Sequence, residues 1–245
     1  MKTKTASSTK DVAKTVLYAI AIAVLVRTIG YEPFNIPSGS MIPTLLVGDY
    51  LFVSKWSYGY SRHSLPFSLP LIPDQKRILY REPERGDVAV FKLPLDGKTD
   101  YIKRLIGLPG DRIQVTGGVL QINGQPVQRE RISSVCEPNG LGARAARYIE
   151  TLPNGKTHFI CEQTDNGPSD NTGVYTVPPR HYFAMGDNRD NSQDSRAPDV
   201  GFIPAENLVG RAEFLFFSTD GSAAWWEVWK LPFALRFARF FRGIT

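Results

Sequence analysis

Cysteine, histidine and helical periodicity are all scarce in this chain. The only cysteines, Cys136 and Cys161, stand too far apart for a paired zinc motif. The three histidines are His63, His158 and His181. None sits in a recognisable Ser-His-Asp setting such as Gly-x-Ser-x-Gly on a strand-to-helix turn. Between residues 32 and 220 no segment keeps an apolar 3.6-residue period over three turns, which argues against a helical body. No internal repeat is present. A basic stripe interleaved with aromatics is missing as well. The net charge of +5 gathers at the ends, with +3 over residues 1–14 and +4 over residues 230–245, so the middle is slightly acidic. That distribution excludes nucleic acid as a partner and favours a membrane surface.

One apolar stretch is present, and it is short. Lys2, Lys4, Lys10 and Lys14 precede Thr15–Val26, and Arg27 follows. Twelve uncharged residues make about 18 Å of helix. Extending the helix from Val12 to Tyr31 gives about 30 Å, the thickness of a hydrocarbon core, if Lys14 and Arg27 snorkel to opposite surfaces. The segment reads as a cleaved secretory signal, a buried core helix or a retained anchor. No small-x-small site follows at the usual distance, and no polar face interrupts the apolar residues, so the retained anchor fits best. Lysines ahead of it predict a cytoplasmic N-terminus and an exported body.

The body reads as β structure. Plentiful glycine and proline favour turns and short strands. Strands are expected at Tyr50–Ser54, Asp87–Phe91, His181–Met185 and Leu208–Phe217, with a hairpin of Arg112–Thr116 and Val119–Asn123 around Gly117-Gly118. Residues 61–84 and 133–172 read as surface excursions, the second carrying turns at Asn139-Gly140, Asn154-Gly155 and Asn166-Gly167. Both cysteines lie in that second region. In an exported domain a bridge joining two strands of a hairpin is expected, the alternative being two separate small core residues.

The chemistry centres on Pro37-Ser-Gly-Ser-Met-Ile-Pro-Thr44, which begins shortly after the apolar stretch. A serine nucleophile needs a base. With no histidine motif in view, a lysine can serve, but only when neutral, and its ordinary pKa of about 10.4 must fall by burial. Lys103 lies in a predicted strand, Tyr101-Ile-Lys-Arg-Leu-Ile-Gly-Leu108, better suited to burial than most other lysines. A strand lysine facing water is the plain alternative.

Four blocks in order, after an N-terminal apolar segment, carry a resemblance. They are Pro37–Thr44, Arg85–Phe91, Asp100–Asp111 and Gly186–Arg196. Together they resemble the bacterial type I signal peptidases (leader peptidases) over about residues 14–218. The resemblance implies a mostly β chain: an antiparallel β-sheet catalytic domain of the signal-peptidase/SOS-repressor type, one N-terminal transmembrane helix and a C-terminal amphipathic segment. The expected divisions are a cytoplasmic N-terminus (1–14), an anchor (15–31), a catalytic domain (32–220) and an aromatic, basic C-terminal segment (221–245). It implies Ser40 as nucleophile and Lys103 as general base. Ser38, with the Ser40 backbone N–H, would hold the oxyanion, and Ser192 would orient the lysine. Ile36 and Ile102 would wall a substrate pocket for small-x-small sequences, with Met41, Tyr101 and Leu45 as additions; plain core packing is the alternative for each, and for Leu45 it fits at least as well. Arg104, Asp187, Asp194 and Arg196 would form ion pairs fixing the loop that carries Ser192.

The acids and amides of Gly186–Arg196 invite a calcium reading. Counting from Asn188, the sixth position is Gln193 rather than glycine and the twelfth is Asp199 rather than glutamate. No metal and no organic cofactor is therefore expected. At the C-terminus, Trp225 and Trp226 precede Trp229, Phe233, Phe237, Phe240 and Ile244, which fall on one side of a helix with Arg236, Arg239 and Arg242 on the other. Such a helix suits a membrane interface or a place against the β domain.

The expected function is removal of signal peptides from exported preproteins by a single-pass enzyme of the bacterial inner membrane, its catalytic domain on the periplasmic side. Lipid is an expected contact and the secretion translocon a neighbour. The rivals are a specialised maturation peptidase of the same fold, of the conjugation type, and an exported β-domain binding protein without catalysis. Self-cleaving SOS repressors share the Ser/Lys chemistry but need a DNA-binding helical domain where this chain has its apolar segment.

Overall fold

Alternation of apolar and polar residues builds the central sheet of this computed structural model, which describes residues 9–65, 68–73, 76–137, 144–223 and 226–245. Helix α1 (Thr9–Ile29) leads through Gly30 into β1 (Tyr31–Asn35), which pairs with β2 (Asp49–Ser54). In β2, Leu51 and Val53 are buried while Tyr50 is exposed, the period of two expected of a strand. Strands β3 (Val88–Lys92) and β4 (Asp100–Gly107) follow. They are succeeded by β5 (Arg112–Thr116), β6 (Val119–Ile122), β7 (Gln125–Pro126), β8 (Gln128–Cys136), β9 (Ala145–Thr151) and β10 (Thr157–Glu162). The series closes with β11 (Tyr175–Thr176), β12 (His181–Met185), β13 (Ile203–Pro204) and β14 (Leu208–Ser218).

The main sheet has seven strands in the order β1-β2-β14-β3-β4-β12-β13, all paired antiparallel. Its faces are covered by different apolar clusters. Ala89, Phe91 and Leu105 join Tyr58, Tyr182 and Leu208 on one side. Val88 and Val90 join Met41, Leu51, Val53 and Leu215 on the other. A four-stranded sheet, β11-β5-β6-β7, packs Ile113, Val115 and Leu120 against Ile106 and Phe183. Its β5–β6 hairpin turns through Gly117 and Gly118, both at positive φ, the backbone that a tight primed turn demands.

The region read as a turn-rich excursion holds a third sheet, β10-β9-β8. Its expected Asn139-Gly140 turn lies outside the described residues. Cys136 and Cys161 form a disulfide with Cα atoms 6.0 Å apart. The bridge does not join two strands of a hairpin: it links β8 to β10, the two neighbours of β9. It packs with Ala145 against Ile42 and Leu46, beneath the Ser40 loop.

Helix α1 is exposed at every described side chain whose burial is assigned from Lys10 to Val24. Residues 10–29 form one helix long and apolar enough to cross a membrane, with mean hydropathy 1.9. The C-terminal segment departs from the expected continuous helix. Only α2 (Leu231–Ala234) and a 3₁₀ turn at Phe237–Arg239 are helical. The backbone instead pairs with the end of β14, where Arg236 N–H donates to Ser218 O at 3.0 Å and Asp220 N–H to Ala234 O at 3.0 Å. Arg239 turns inward onto Asp49, so the arginines do not form a separate solvent face. Trp229, Phe233 and Phe241 stay exposed, and Trp225 lies outside the described residues.

Candidate active site

The segment after β1 closes into a loop whose ends are tied together. Ile36 N–H donates to Asp49 O at 2.8 Å, and Gly48 N–H to Ile36 O at 3.0 Å. Ser38, Gly39 and Ser40 ride on this loop. From the other side, Asn188 N–H donates to Ser40 O at 3.1 Å and Asn188 Nδ2 to Gly39 O at 2.8 Å. The backbone of the serine pair is therefore held between two parts of the chain far apart in sequence.

Lys103 comes from β4, whose regular ladder with β3 sets Lys103 opposite Ala89. The pleat assigns Tyr101, Lys103 and Leu105 to one face and Ile102 and Arg104 to the other. Lys103 is 4% exposed, and its Nζ lies 2.8 Å from Ser40 Oγ. The same nitrogen donates to Ile102 O at 3.0 Å and sits 5.2 Å from the centre of the Tyr101 ring. Burial pushes the lysine down to about 8, while the carboxylates of Asp194 and Asp187 pull the other way. A neutral amine in hydrogen-bond contact with a hydroxyl can take its proton. Among the described residues no histidine nitrogen contacts Ser40. His158 is 3.3 Å from Glu150, and His181 Nδ1 is 2.9 Å from Pro179 O.

Ser38 is exposed, its Oγ 3.4 Å from Ser40 Oγ, so the two hydroxyls face a common space. Ser192 stands close to the same centre. Its Oγ is buried beside the Asp194 carboxylate, and no bond joins it to Lys103. Gly186 keeps the approach open. A β-carbon there would collide with Ser192 and come within 2.5 Å of Ser40 O. This close contact explains a glycine at the end of β12.

Arg104 and Asp187 meet as a bidentate pair at 2.8 and 2.7 Å. Arg196 and Asp194 form a second, at 2.9 and 2.8 Å. Asp194 also accepts Gly186 N–H at 2.9 Å. Burial alone would raise both carboxyls. The Arg104 guanidinium holds Asp187, and Arg196 holds Asp194, below the usual carboxylate range. The loop that contributes Asn188, Ser192 and Asp194 is thus clamped to the strand bearing Lys103. Sequence reasoning missed a third buried pair, Glu150 with Arg189 at 2.8 and 2.5 Å, which ties β9 to the same loop. An acid centred in a strand is a surface signal by pattern, and nothing local reveals its partner.

An apolar cavity of about 260 Å³ opens beside the Ser40–Lys103 contact, walled by Phe34, Ile36, Val90, Tyr101 and Ile102 with Lys103 at its edge. Ile36, Ile102 and Tyr101 are where the sequence reading puts them. Met41 is not. It is fully buried, packed with Leu45 and Leu51 in the core, because the turn after Ser40 sends its side chain inward. Phe34 and Val90 take the remaining wall. On the other side of Ser40 a broader cleft of about 1040 Å³ touches Gly39, Ile42, Asn191, Arg147 and Arg242.

Comparison with known proteins adds an independent finding. A family model described as signal peptidase, peptidase S26, matches residues 9–217. The chain is similar to a signal peptidase I of Rickettsia typhi, with 44% identity over 232 residues covering 92% of this chain and 86% of that protein. A signal peptidase I of Rickettsia conorii is also 44% identical, over 91% of this chain and 86% of its own length. A crystal structure of a signal peptidase I from Enterococcus faecalis V583 aligns with 54% of this chain and 97% of its own, at 25% identity and a TM-score of 0.33.

Proposed function

This chain belongs to the signal peptidase family, peptidase S26, and we propose that Ser40 and Lys103 are the dyad with which it cuts signal peptides from preproteins. The supporting observation is the 2.8 Å contact between a buried lysine amine and a serine hydroxyl. Lys103, neutral, takes the Ser40 proton as Oγ attacks the scissile carbonyl. The developing oxyanion is met by the Ser40 backbone N–H and the Ser38 hydroxyl. Lys103 then gives its proton to the departing amine, the mature protein leaves, and water attacks the acyl-enzyme with the same amine as base.

Specificity follows from the cavity beside the dyad. Its volume suits small side chains near the cleaved bond, and its apolar walls reject charge. Asp100–Ile102 borders it as part of β4 and pairs there with β3 alone, so a substrate strand finds backbone partners along the free edge. Ser192 acts on the lysine at a later stage, when its buried hydroxyl meets the ammonium formed by proton transfer.

The enzyme is anchored by α1, with its lysine-rich end in the cytoplasm and the β domain on the exported side of the inner membrane. Exposed Trp229, Phe233 and Phe241 touch lipid, and the translocon is a neighbour. The deciding experiment sets detergent-solubilised wild type beside Lys103→Ala on one preprotein. The wild type releases the mature protein and the variant, still folded, does not. Cleavage by the variant at the wild-type rate would remove the reading.

A further inference from the structure

Outside the dyad, three carboxylates converge where β10 meets the loop of Ser192. Glu162 ends β10, Asp170 lies in the following loop, and Asp190 sits in the 3₁₀ turn Arg189–Asn191. One oxygen of each lies within 4.8 Å of the others. Ordinary acidic clusters are exposed and hydrated. Two of these residues are not: Glu162 is 3% and Asp170 is 1% exposed. Glu162 Oε2 and Asp170 Oδ1 are buried with no hydrogen-bond partner. A buried carboxylate oxygen without a donor is costly, because desolvation is unrecovered.

The other oxygens show how the site is shaped. Asp190 Oδ2 accepts the N–H groups of Gln163, at 2.5 Å, and Thr164, at 3.1 Å. Asp170 Oδ2 accepts Gly167 N–H at 2.5 Å. Each of these carboxylates is fixed by one oxygen and presents the other. The nearby cations are already engaged, Arg129 with Asp165 at 2.8 Å and Arg189 with Glu150. Two glycines make room. A β-carbon on Gly118 would come within 2.8 Å of Glu162 Oε1, and one on Gly167 within 2.9 Å of Asp190 Oδ1.

We propose that Glu162, Asp170 and Asp190 bind a calcium ion. The donor set is all hard oxygen, without thiol or imidazole, which disfavours zinc and copper. Magnesium is usually held by one or two carboxylates in a tight octahedron, whereas calcium accepts an irregular shell of six to eight oxygens at about 2.3–2.6 Å. Three carboxylates from a strand end, a loop and a 3₁₀ turn, completed by water, match calcium. The sequence pattern hid the site because its ligands are not in one loop: Asp190 alone lies in the stretch that fails the EF-hand register. The ion would join β10 and its following loop to the turn two residues before Ser192, steadying that serine as a positioning device.

The test uses the full chain in detergent, stripped with chelator, then titrated with calcium or magnesium while heat release and melting temperature are followed. Calcium at a hundredfold excess over Kd should raise Tm by about 5–10 °C, with one site by calorimetry. Magnesium at equal concentration should do much less. Glu162→Gln separates an ion site from a merely structural carboxylate. It should melt above wild type in chelator, because repulsion is relieved, and below wild type in calcium, with Kd weakened at least tenfold. Asp170→Asn should also lose the calcium shift. Absence of binding, an equal response to magnesium, or a calcium shift that survives in both variants would overturn the assignment.

Discussion

Arg104 closes the Nε–Nη2 edge of its guanidinium on Asp187, at 2.8 and 2.7 Å, one residue beyond Lys103 on the same strand. The pleat sends the two side chains to opposite faces, so the anchor braces β4 without crowding the Lys103 amine. Both members are 1% exposed, and removal of either strands a charge in the interior.

Asp187→Asn should therefore cost about 3–5 kcal/mol of stability. A urea melt reads this directly. Asp194→Ala should show the same kind of loss together with reduced activity. Full activity at an unchanged melting temperature would remove the loop-fixing role. Both carboxyls are held low by their arginines, so their contribution is complete at neutral pH and is lost as pH falls through and below the usual carboxylate range.

The pH dependence of cleavage should carry the signature of the lysine. Only neutral Lys103 acts as base, so kcat/KM should rise with pH to half its plateau at about 8. A profile already flat from pH 6 to 9 would contradict a lysine base.

Stability should move the other way for Lys103→Met. The folded lysine is depressed from 10.5 to about 8, so the unfolded chain binds more protons between those values. Stability from this group rises with pH across that window, and below it the full cost of burying the ammonium is present. The inactive variant should be more stable than wild type at pH 7, by about 3 kcal/mol from the size of the shift, with the gain vanishing toward pH 10.5. Paired thermal melts at pH 7 and 10 measure the difference.

Ser38→Ala tests the oxyanion role. Losing one preorganised donor should lower kcat by about 10²–10³ with little change in KM. A matching rise in KM at constant kcat would instead make Ser38 a binding contact.

For the C-terminal segment, a fragment without α1 should bind anionic liposomes, and truncation after Glu227 should weaken that binding by removing Trp229, Phe233 and Phe241. Equal vesicle binding by both fragments would assign these aromatics no part in it.

Much of the centre was legible in the sequence because strand alternation and short motifs are local. The β2, β3 and β12 segments and the Gly117-Gly118 hairpin all carry it. What stayed hidden depends on contacts made elsewhere. Strand β8, with sequence Gln-Arg-Glu-Arg-Ile-Ser-Ser-Val-Cys, is mostly solvated, so no apolar period marks it. Glu150 looks like a surface acid until Arg189 arrives from the far end of the domain. Met41 follows Ser40 in sequence yet points into the core, since neighbours on a turn share position without sharing direction. The C-terminal residues have helical spacing, but backbone pairing with β14 competes with the helix and wins.

The junction of α1 with the β domain has a further consequence. Only Gly30 separates helix from strand, and Glu32 takes both Arg27, at 2.7 Å, and Lys55, at 2.9 Å, while Tyr60 Oη donates to Ile29 O at 2.7 Å. Little slack remains at this joint. On the proposed reading, with α1 in the membrane and Ser40 cutting, the stretch from the helix end to Ser40 works as a ruler for the height of the cut. Choice of a cleavage site then becomes partly a measurement of length, made before a side chain enters the pocket.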